Sequence, residues 1–391
     1  MGYLEFLAAG APPAPPEAFA PEGALRWSEL GTWGGAVPAR DTAVHIEAGR
    51  TIVLDCDAEV ASLTIEGTLI VAPRDATLRA GWIVVRNEGT LTAGSAEKPF
   101  KDRLTITLCA GGITSPYPSL GTKFLAALDG GTIDLHGASR TSWVALGATI
   151  APGHNTLQLS QPVDWNAGER IAVASGHDHA LVEERTITHI GADCLTLTLD
   201  RALAHRHQGK YGAVHHVLPG SLAKVLLLER NIVIEGCAES VSGSVGGFCL
   251  IARSADRGDT SGRCSTARFS GVEFRRMGQF NRPGRYPLHW HDNGDAADSS
   301  VVGCLVHDSY QRGIVAVGSR HVRISDNVVL KPYGHGYIVE REDHSPQLVT
   351  TNLAVRPRVA RFADSAMRSY CEHRPRAFWI VRSSPASHVI R

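Results

Sequence analysis

Lysine is nearly missing from this chain. Only six of its 39 basic residues are lysine (Lys98, Lys101, Lys123, Lys210, Lys224 and Lys331), and the rest are arginine. GC-rich codon usage accounts for such a bias; the functional counterpart is that guanidinium forks suit carboxylate or sulfate groups on a ligand. A surplus of either charge is also absent, with 39 Lys+Arg against 39 Asp+Glu. That removes the basic excess of a nucleic-acid binder, so no nucleic-acid partner is expected. No apolar run approaches the roughly 18–20 residues of a membrane-spanning helix, so no span is expected in this chain. Residues 1–10 are apolar but have no basic leader, and Glu5 interrupts them, so no signal peptide is visible. None of the eight cysteines forms a CxxC pair, which argues against a zinc ribbon. There is no Gly-x-Ser-x-Gly elbow for a serine hydrolase. The Gly-Gly pairs at 111–112 and 246–247 lack the Lys-Ser/Thr of a phosphate loop and read as turns.

What is present is glycine, 40 residues of it, among short runs of Val, Ile, Leu and Thr. A charged fraction of 20 % with 43 % hydrophobic residues excludes general disorder, and 391 residues are enough for a core without disulfide staples. Most cysteines sit in apolar runs, as Cys304 does, and read as buried free thiols; Cys249 and Cys264 flank a polar loop and are a candidate pair. Residues 11–23, rich in Ala and Pro, read as an extended linker. From Trp27 to about Ile150 the chain alternates in runs such as Thr51-Ile52-Val53-Leu54 and Leu104-Thr105-Ile106-Thr107-Leu108, the period of half-buried strands. A phrase recurs at Gly67-Thr68-Leu69, Gly89-Thr90-Leu91 and Gly131-Thr132-Ile133, with separations of 22 and 42 residues. These read as one and two turns of a solenoid with a repeat of about 20 residues.

The second half repeats more clearly. Residues 303–317 align with 326–340 at an offset of 23, pairing Tyr310 with Tyr333, Arg312 with His335 and Gly313 with Gly336. Asn327 recurs as Asn352, an offset of 25. This is the pattern of an all-β chain wound as a right-handed parallel β-helix, in which each coil buries its apolar face against the next. Equivalent corners for Gly313 and Gly336, and stacked rings for Tyr310 and Tyr333, are expected. Between the halves, about 151–220, lies a polar, His-rich stretch with strands at Arg170–Val173 and Leu195–Leu199.

Several segments together resemble a known family. They are Trp27 with Gly31-Thr32-Trp33-Gly34-Gly35-Ala36-Val37-Pro38, then Val44-His45-Ile46-Glu47-Ala48-Gly49-Arg50, Leu63–Leu69, Gly94–Phe100, Gly130–Gly137 and Ser142-Trp143. These are similar to the G-eight domain, named for its eight glycines. Arg285-Tyr286-Pro287-Leu288-His289-Trp290-His291 with Gly294-Asp295, then Gly334-His335-Gly336 with Glu340, and Ala377-Phe378-Trp379-Ile380 resemble the β-helical region of the cell-migration-inducing hyaluronan-binding proteins and their transmembrane hyaluronidase relatives. The Tyr-Pro-Leu-His-Trp-His segment is the most specific part. The resemblance implies an extracellular or cell-surface β-helix that binds or depolymerises hyaluronan. The expected organisation is a linker at 1–24, a G-eight domain at 25–150, a connecting β region at 151–220 and a parallel β-helix at 221–391. The last is expected to continue beyond Arg391 or be capped, because a coil edge is left open there.

His289 and His291 are two apart and share one side of a strand. With His335 from a later coil they form a candidate set for a divalent transition metal, because neutral imidazole suits Zn, Ni, Cu or Fe. Asp292, Asp295, His307 and Glu340 are candidate acid/base groups for cleaving a glycan. Arg285, Tyr286, Arg312 and Tyr333 are candidate contacts to an acidic polysaccharide. The plain alternative is that the imidazoles fill coil ends and the aspartates make turns. The parity of the His289 strand is open: if Leu288 and Trp290 face inward, both histidines face outward. A second group, His177-Asp178-His179 with Glu183 and His205-Arg206-His207, reads as a solvated loop, with a structural metal as the alternative. An enzyme acting on an acidic polysaccharide by hydrolysis or elimination, a non-catalytic binding or adhesion module, and a purely structural protein all remain open at this point.

Overall fold

The computed structural model describes residues 19–110, 115–176, 178, 181–210, 222–256, 258–341, 348–358 and 376–382, leaving aside the side chains of 340, 341 and 379–382. Most of the Pro-rich linker, Cys371, His177 and His179 fall outside these residues, as does the Glu340 side chain. Among the described residues the helical elements are a 3-10 turn at Leu30–Trp33 and one α-helical turn at Ser240–Gly243. Everything else that is regular is strand.

Successive strands visit three faces in turn. The first face holds nine strands, among them Phe248–Ala252, Leu288–Asp295, Ile314–Arg320 and Tyr337–Arg341. The second holds nine, among them Thr90–Ala93, Thr132–His136 and Ser300–Val302. The third holds eight, among them Leu104–Leu108, Ile232–Gly236, Val272–Arg275 and Leu305–His307. Each strand pairs in parallel with its counterpart one coil away, which is a parallel β-helix. The offset of 23 is the ladder register, with Leu305 opposite Val328 and Ile314 opposite Tyr337. The offset of 25 is the next step, with Val328 opposite Leu353.

Two expectations change. Thr90 is paired directly with Thr132, so the separation of 42 residues spans one coil and not two. Corner loops absorb the added length without disturbing the ladders. The stretch expected as a separate N-terminal β region forms the first coils of the same solenoid, because the ladders run unbroken from it into the strands after residue 231.

The coil between Thr132–His136 and Ile232–Gly236 is interrupted by a six-stranded antiparallel sheet, from Trp143–Ala145 to Lys224–Leu227. The sheet has its own core around Val144, Ile171, Val173, Leu197 and Val225. Its Ala172 and Leu226 pack against Leu305, Val328 and Leu330 of the third face, which is why those outward positions are apolar. The turn expected as a solvated loop is partly buried here: His207 is fully buried and its Nε2 lies 2.9 Å from Glu183 Oε1.

Inside the solenoid, like side chains stack. One row runs Leu125, Cys249, Leu288, Ile314 and Tyr337, and the next runs Ala127, Ile251, Trp290, Ala316 and Val339. Asn327 sits between coils at 0 % exposure and ties three of them. Its Oδ1 accepts from Cys304 N–H at 2.9 Å, and its Nδ2 donates to Val301 O and Asn352 Oδ1, each at 2.9 Å. Gly313 and Gly336 do occupy equivalent corners: a Cβ on Gly313 would collide with the Gly336 carbonyl. The tyrosines do not stack. Tyr333 meets Phe280 edge-on at 5.9 Å and lies under the Arg358 guanidinium at 3.8 Å. Cys249 and Cys264 are both free thiols, so that pairing is not made.

Candidate functional site

The parity of the strand Leu288–Asp295 follows from its apolar residues. Leu288 and Trp290 enter the core, so His289 and His291 point outward from the first face. Their rings lie 4.9 Å apart, tilted by 39°. Tyr286 adds a third ring, 4.9 Å from His289 and edge-on. Arg312, one coil on, stands over the Tyr286 ring at 5.1 Å and donates to its hydroxyl at 3.0 Å. Tyr286 and His289 are themselves buried, with Tyr286 packed on Val315 and Ile338, so the half-buried Arg312 guanidinium, held by the ring and hydroxyl beneath it, is the group of this stack that can offer a fork to a carboxylate. His335 is buried at the corner before Tyr337, where burial and then Arg312 and Arg376 pull its imidazole down to about 4. It is therefore neutral at physiological pH.

Hydrogen bonds assign the tautomers. His289 Nδ1 lies 2.9 Å from the Gly284 carbonyl and must donate to it. His335 Nδ1 accepts from the Arg376 N–H at 2.9 Å, so its proton is on Nε2. A metal ligand needs a lone pair, and neither nitrogen of this tautomer offers one freely. Among the described residues, no set drawn from His289, His291 and His335 brings three ligand atoms within 4.8 Å.

A β-bulge follows His291, between His291 and Gly294. Asp292 lies in it with φ of 46°, and its carboxylate turns back to 3.3 Å from His291 Nε2. Bulges of this kind re-aim side chains beside sites. The left-handed backbone and the neighbouring Gly318, where a Cβ would meet Asp292 Oδ1, make room for that turn. Asp295 leaves the group and pairs with His321 Nδ1 at 2.8 Å, which holds its carboxyl below the usual range. Arg285 packs over Phe248 at 5.7 Å and donates to Gln279 Oε1 and Ser119 O, so it braces the loop before the strand. The backbone of Glu340 continues the first face two coils beyond His291.

His307 does not join this group. It stands on the third face, in an outward ladder of Arg79, Thr107, Glu235, Arg275 and His307. Its Nε2 lies 3.1 Å from Glu273 Oε1 and its Nδ1 3.0 Å from Asp308 Oδ2. Burial pulls the imidazole down, but the two carboxylates outweigh it and raise it to about 9. The same bond from His307 is the main cause that lowers Asp308 to about 2. Glu273, also buried, is held below its usual range by His307, the Arg230 N–H and Arg275. These groups border a cavity of 350 Å³ at the rim of the antiparallel insertion. The sequence reading passed over Glu235, Glu273 and Arg275. The signal was present in Val272-Glu273-Phe274-Arg275, whose alternation puts both charges outward.

Residues 32–147 match the G8 domain family and residues 259–383 match the CEMIP beta-helix family. Fibrocystin-L of Mus musculus is 31 % identical over 397 residues, covering 91 % of this chain and 9 % of that protein. Fibrocystin-L of Homo sapiens has the same identity and coverage. A G8 domain-containing protein of Dictyostelium discoideum is 26 % identical, with 84 % of this chain and 29 % of that protein covered. The chain thus spans 9 to 29 % of the length of these relatives. Among solved structures, the tailspike protein gp49 from Pseudomonas phage LKA1 is similar over 80 % of this chain and 49 % of that one, with 13 % identity and a TM-score of 0.22. Among the described residues no helix is long and apolar enough to cross a membrane. Both family matches fall on one continuous solenoid, and the chain is a G8-domain, CEMIP-like β-helix protein over the residues matched.

Proposed function

We propose that this chain is a carbohydrate-binding β-helix that takes an acidic polysaccharide across its first face. The observation that carries this reading is the Tyr286–Arg312 stack beside the His289–His291 pair, spread over two successive coils. A linear glycan lies naturally along such a surface. The guanidinium takes a uronate carboxylate in a fork, and the buried Tyr286 beneath it holds that guanidinium in place. Hyaluronan is the member of this class that the family resemblance implies, and an extracellular or cell-surface setting belongs to the same proposal. Binding is tested with purified chain against hyaluronan, other uronate-containing polysaccharides and neutral glycans. Saturable, salt-sensitive binding to the acidic set is expected, with Arg312→Gln weakening it at least about tenfold. Equal binding to neutral and acidic glycans overturns the reading.

Depolymerisation is a second reading, favoured by the bulge that turns Asp292 onto His291. In elimination, His291 would take the proton beside the uronate carboxylate, the carbon–carbon double bond would form as the neighbouring glycosidic C–O bond breaks, and the departing oxygen would take a proton from the imidazolium or from water, with Asp292 steadying the imidazolium in between. Arg312 would neutralise the carboxylate. New absorbance at 235 nm, absent in His291→Ala, supports this reading. Binding with neither new absorbance nor new reducing ends leaves recognition alone as the function.

A further inference from the structure

Two cysteines far apart in sequence meet where the solenoid turns from its third face to its first. Strands Leu104–Leu108 and Ile232–Gly236 pair in parallel, and their last partners in register are Leu108 and Gly236. The next residue of each strand is a cysteine. The backbones carry the stack onward: Cys237 N–H donates to Leu108 O at 3.2 Å and Cys109 N–H to Ala80 O at 2.9 Å. Both thiols are free. The ligand atoms of Cys109, Cys237 and Glu239 all lie within 4.8 Å of one another, the only such group of three among the described residues. Cys237 is buried, Cys109 is half-buried and Glu239 is exposed at the rim. No CxxC spacing announces the group, because coil stacking and not local sequence brings it together.

We propose that Cys109, Cys237 and Glu239 form a site for a thiophilic divalent cation of the Zn²⁺ class, with solvent in the fourth position. Tetrahedral coordination with Zn–S bonds of about 2.3 Å puts two sulfurs about 3.8 Å apart, inside the observed spread. Two sulfurs favour a borderline-soft ion over Ca²⁺ or Mg²⁺, which seek oxygen. Two thiolates and a carboxylate exceed a dication by one negative charge. Lys123 lies beside them to balance it, its buried Nζ donating to Ser240 Oγ at 3.2 Å, and Ser240 Oγ in turn lies 3.8 Å from Cys237 Sγ. A cavity of 290 Å³ bordered by Arg79, Gly81 and Cys109 opens the group to solvent on the Cys109 side. The ion would clip the last third-face strand before the antiparallel insertion to the first one after it.

The test uses the full chain, reduced, freed of metal with a chelator and titrated with Co²⁺. One Co²⁺ per chain with a sulfur-to-cobalt charge-transfer band in the near ultraviolet is expected, displaced by Zn²⁺. Cys109→Ser and Cys237→Ser each reduce the band, and the double variant abolishes it. Glu239→Gln, at an exposed position, keeps the fold and the band but weakens affinity at least about tenfold. Circular dichroism on every variant separates loss of ligand from loss of fold. A folded wild-type chain without the band overturns the proposal, as does a band unchanged in the folded double variant.

Discussion

His307→Gln removes one charge from the third face while leaving a side chain of similar reach. The buried imidazole lies between Glu273 and Asp308, and its side chain is only 7 % exposed. Its ordinary value of 6.5 is raised to about 9. At about 1.4 kcal/mol per pKa unit, the folded state gains on the order of 3 kcal/mol from keeping that proton. The sign follows from linkage. Below pH 6.5 the ring is protonated in folded and unfolded chains alike, and the contribution is complete. Between pH 6.5 and about 9 only the folded chain holds the proton, so the contribution drains away as pH rises. Asp308 sets the acid limit, because its own contribution is lost as pH falls from 3.8 toward about 2. The wild type is therefore expected to exceed His307→Gln by roughly 3 kcal/mol at pH 6 and by much less at pH 10. Glu273 keeps Arg275 and the Arg230 N–H in the variant, so its carboxylate is not stranded. Urea denaturation at both pH values measures the gap, and NMR titration of the His307 ring measures its pKa directly. A ring that titrates near 6.5, or a gap that does not change with pH, refutes the reasoning.

Two further outcomes follow from the coil packing. Asn327→Ala strands the Cys304 N–H and the Val301 carbonyl inside the solenoid, which costs about 2–4 kcal/mol in denaturant unfolding; a loss under about 1 kcal/mol would mean the asparagine ladder does not hold the coils. Gly313→Ala drives a methyl group into the Gly336 carbonyl, so unfolding measurements should show a loss above about 2 kcal/mol, whereas the exposed Gly31, with ordinary φ and open space where a Cβ would stand, tolerates the same change much better.

The fold was legible where coils have equal length. The offset of 23 between 303–317 and 326–340 is the physical register of Leu305 on Val328, and no rule beyond like-on-like stacking was needed. The phrase at Gly131 misled because its coil is long: corner loops have no ladder to obey, so counting residues between phrases does not count coils. The same freedom hid the dithiol group, since an entire antiparallel sheet separates Cys109 from Cys237 in sequence while their strands are neighbours. At the site, the two-residue period put His289 and His291 side by side, and only burial of Leu288 and Trp290 decided that they face out. His307 lay close in sequence but on another face, because a coil turns through three faces in some 23 residues. Its true partners, Glu273 and Arg275, come from the coil before it.

The measurement that bears most directly on the account compares one polysaccharide in two forms, native hyaluronan and the same polymer with its uronate carboxyls reduced to alcohols. Chain length, sugar rings and stereochemistry are unchanged, so only the charge that Arg312 would grip differs. Binding of the full chain to the native polymer, with loss of at least about tenfold on carboxyl reduction and no such loss in Arg312→Gln, is the predicted result. Equal affinity for the two forms contradicts it.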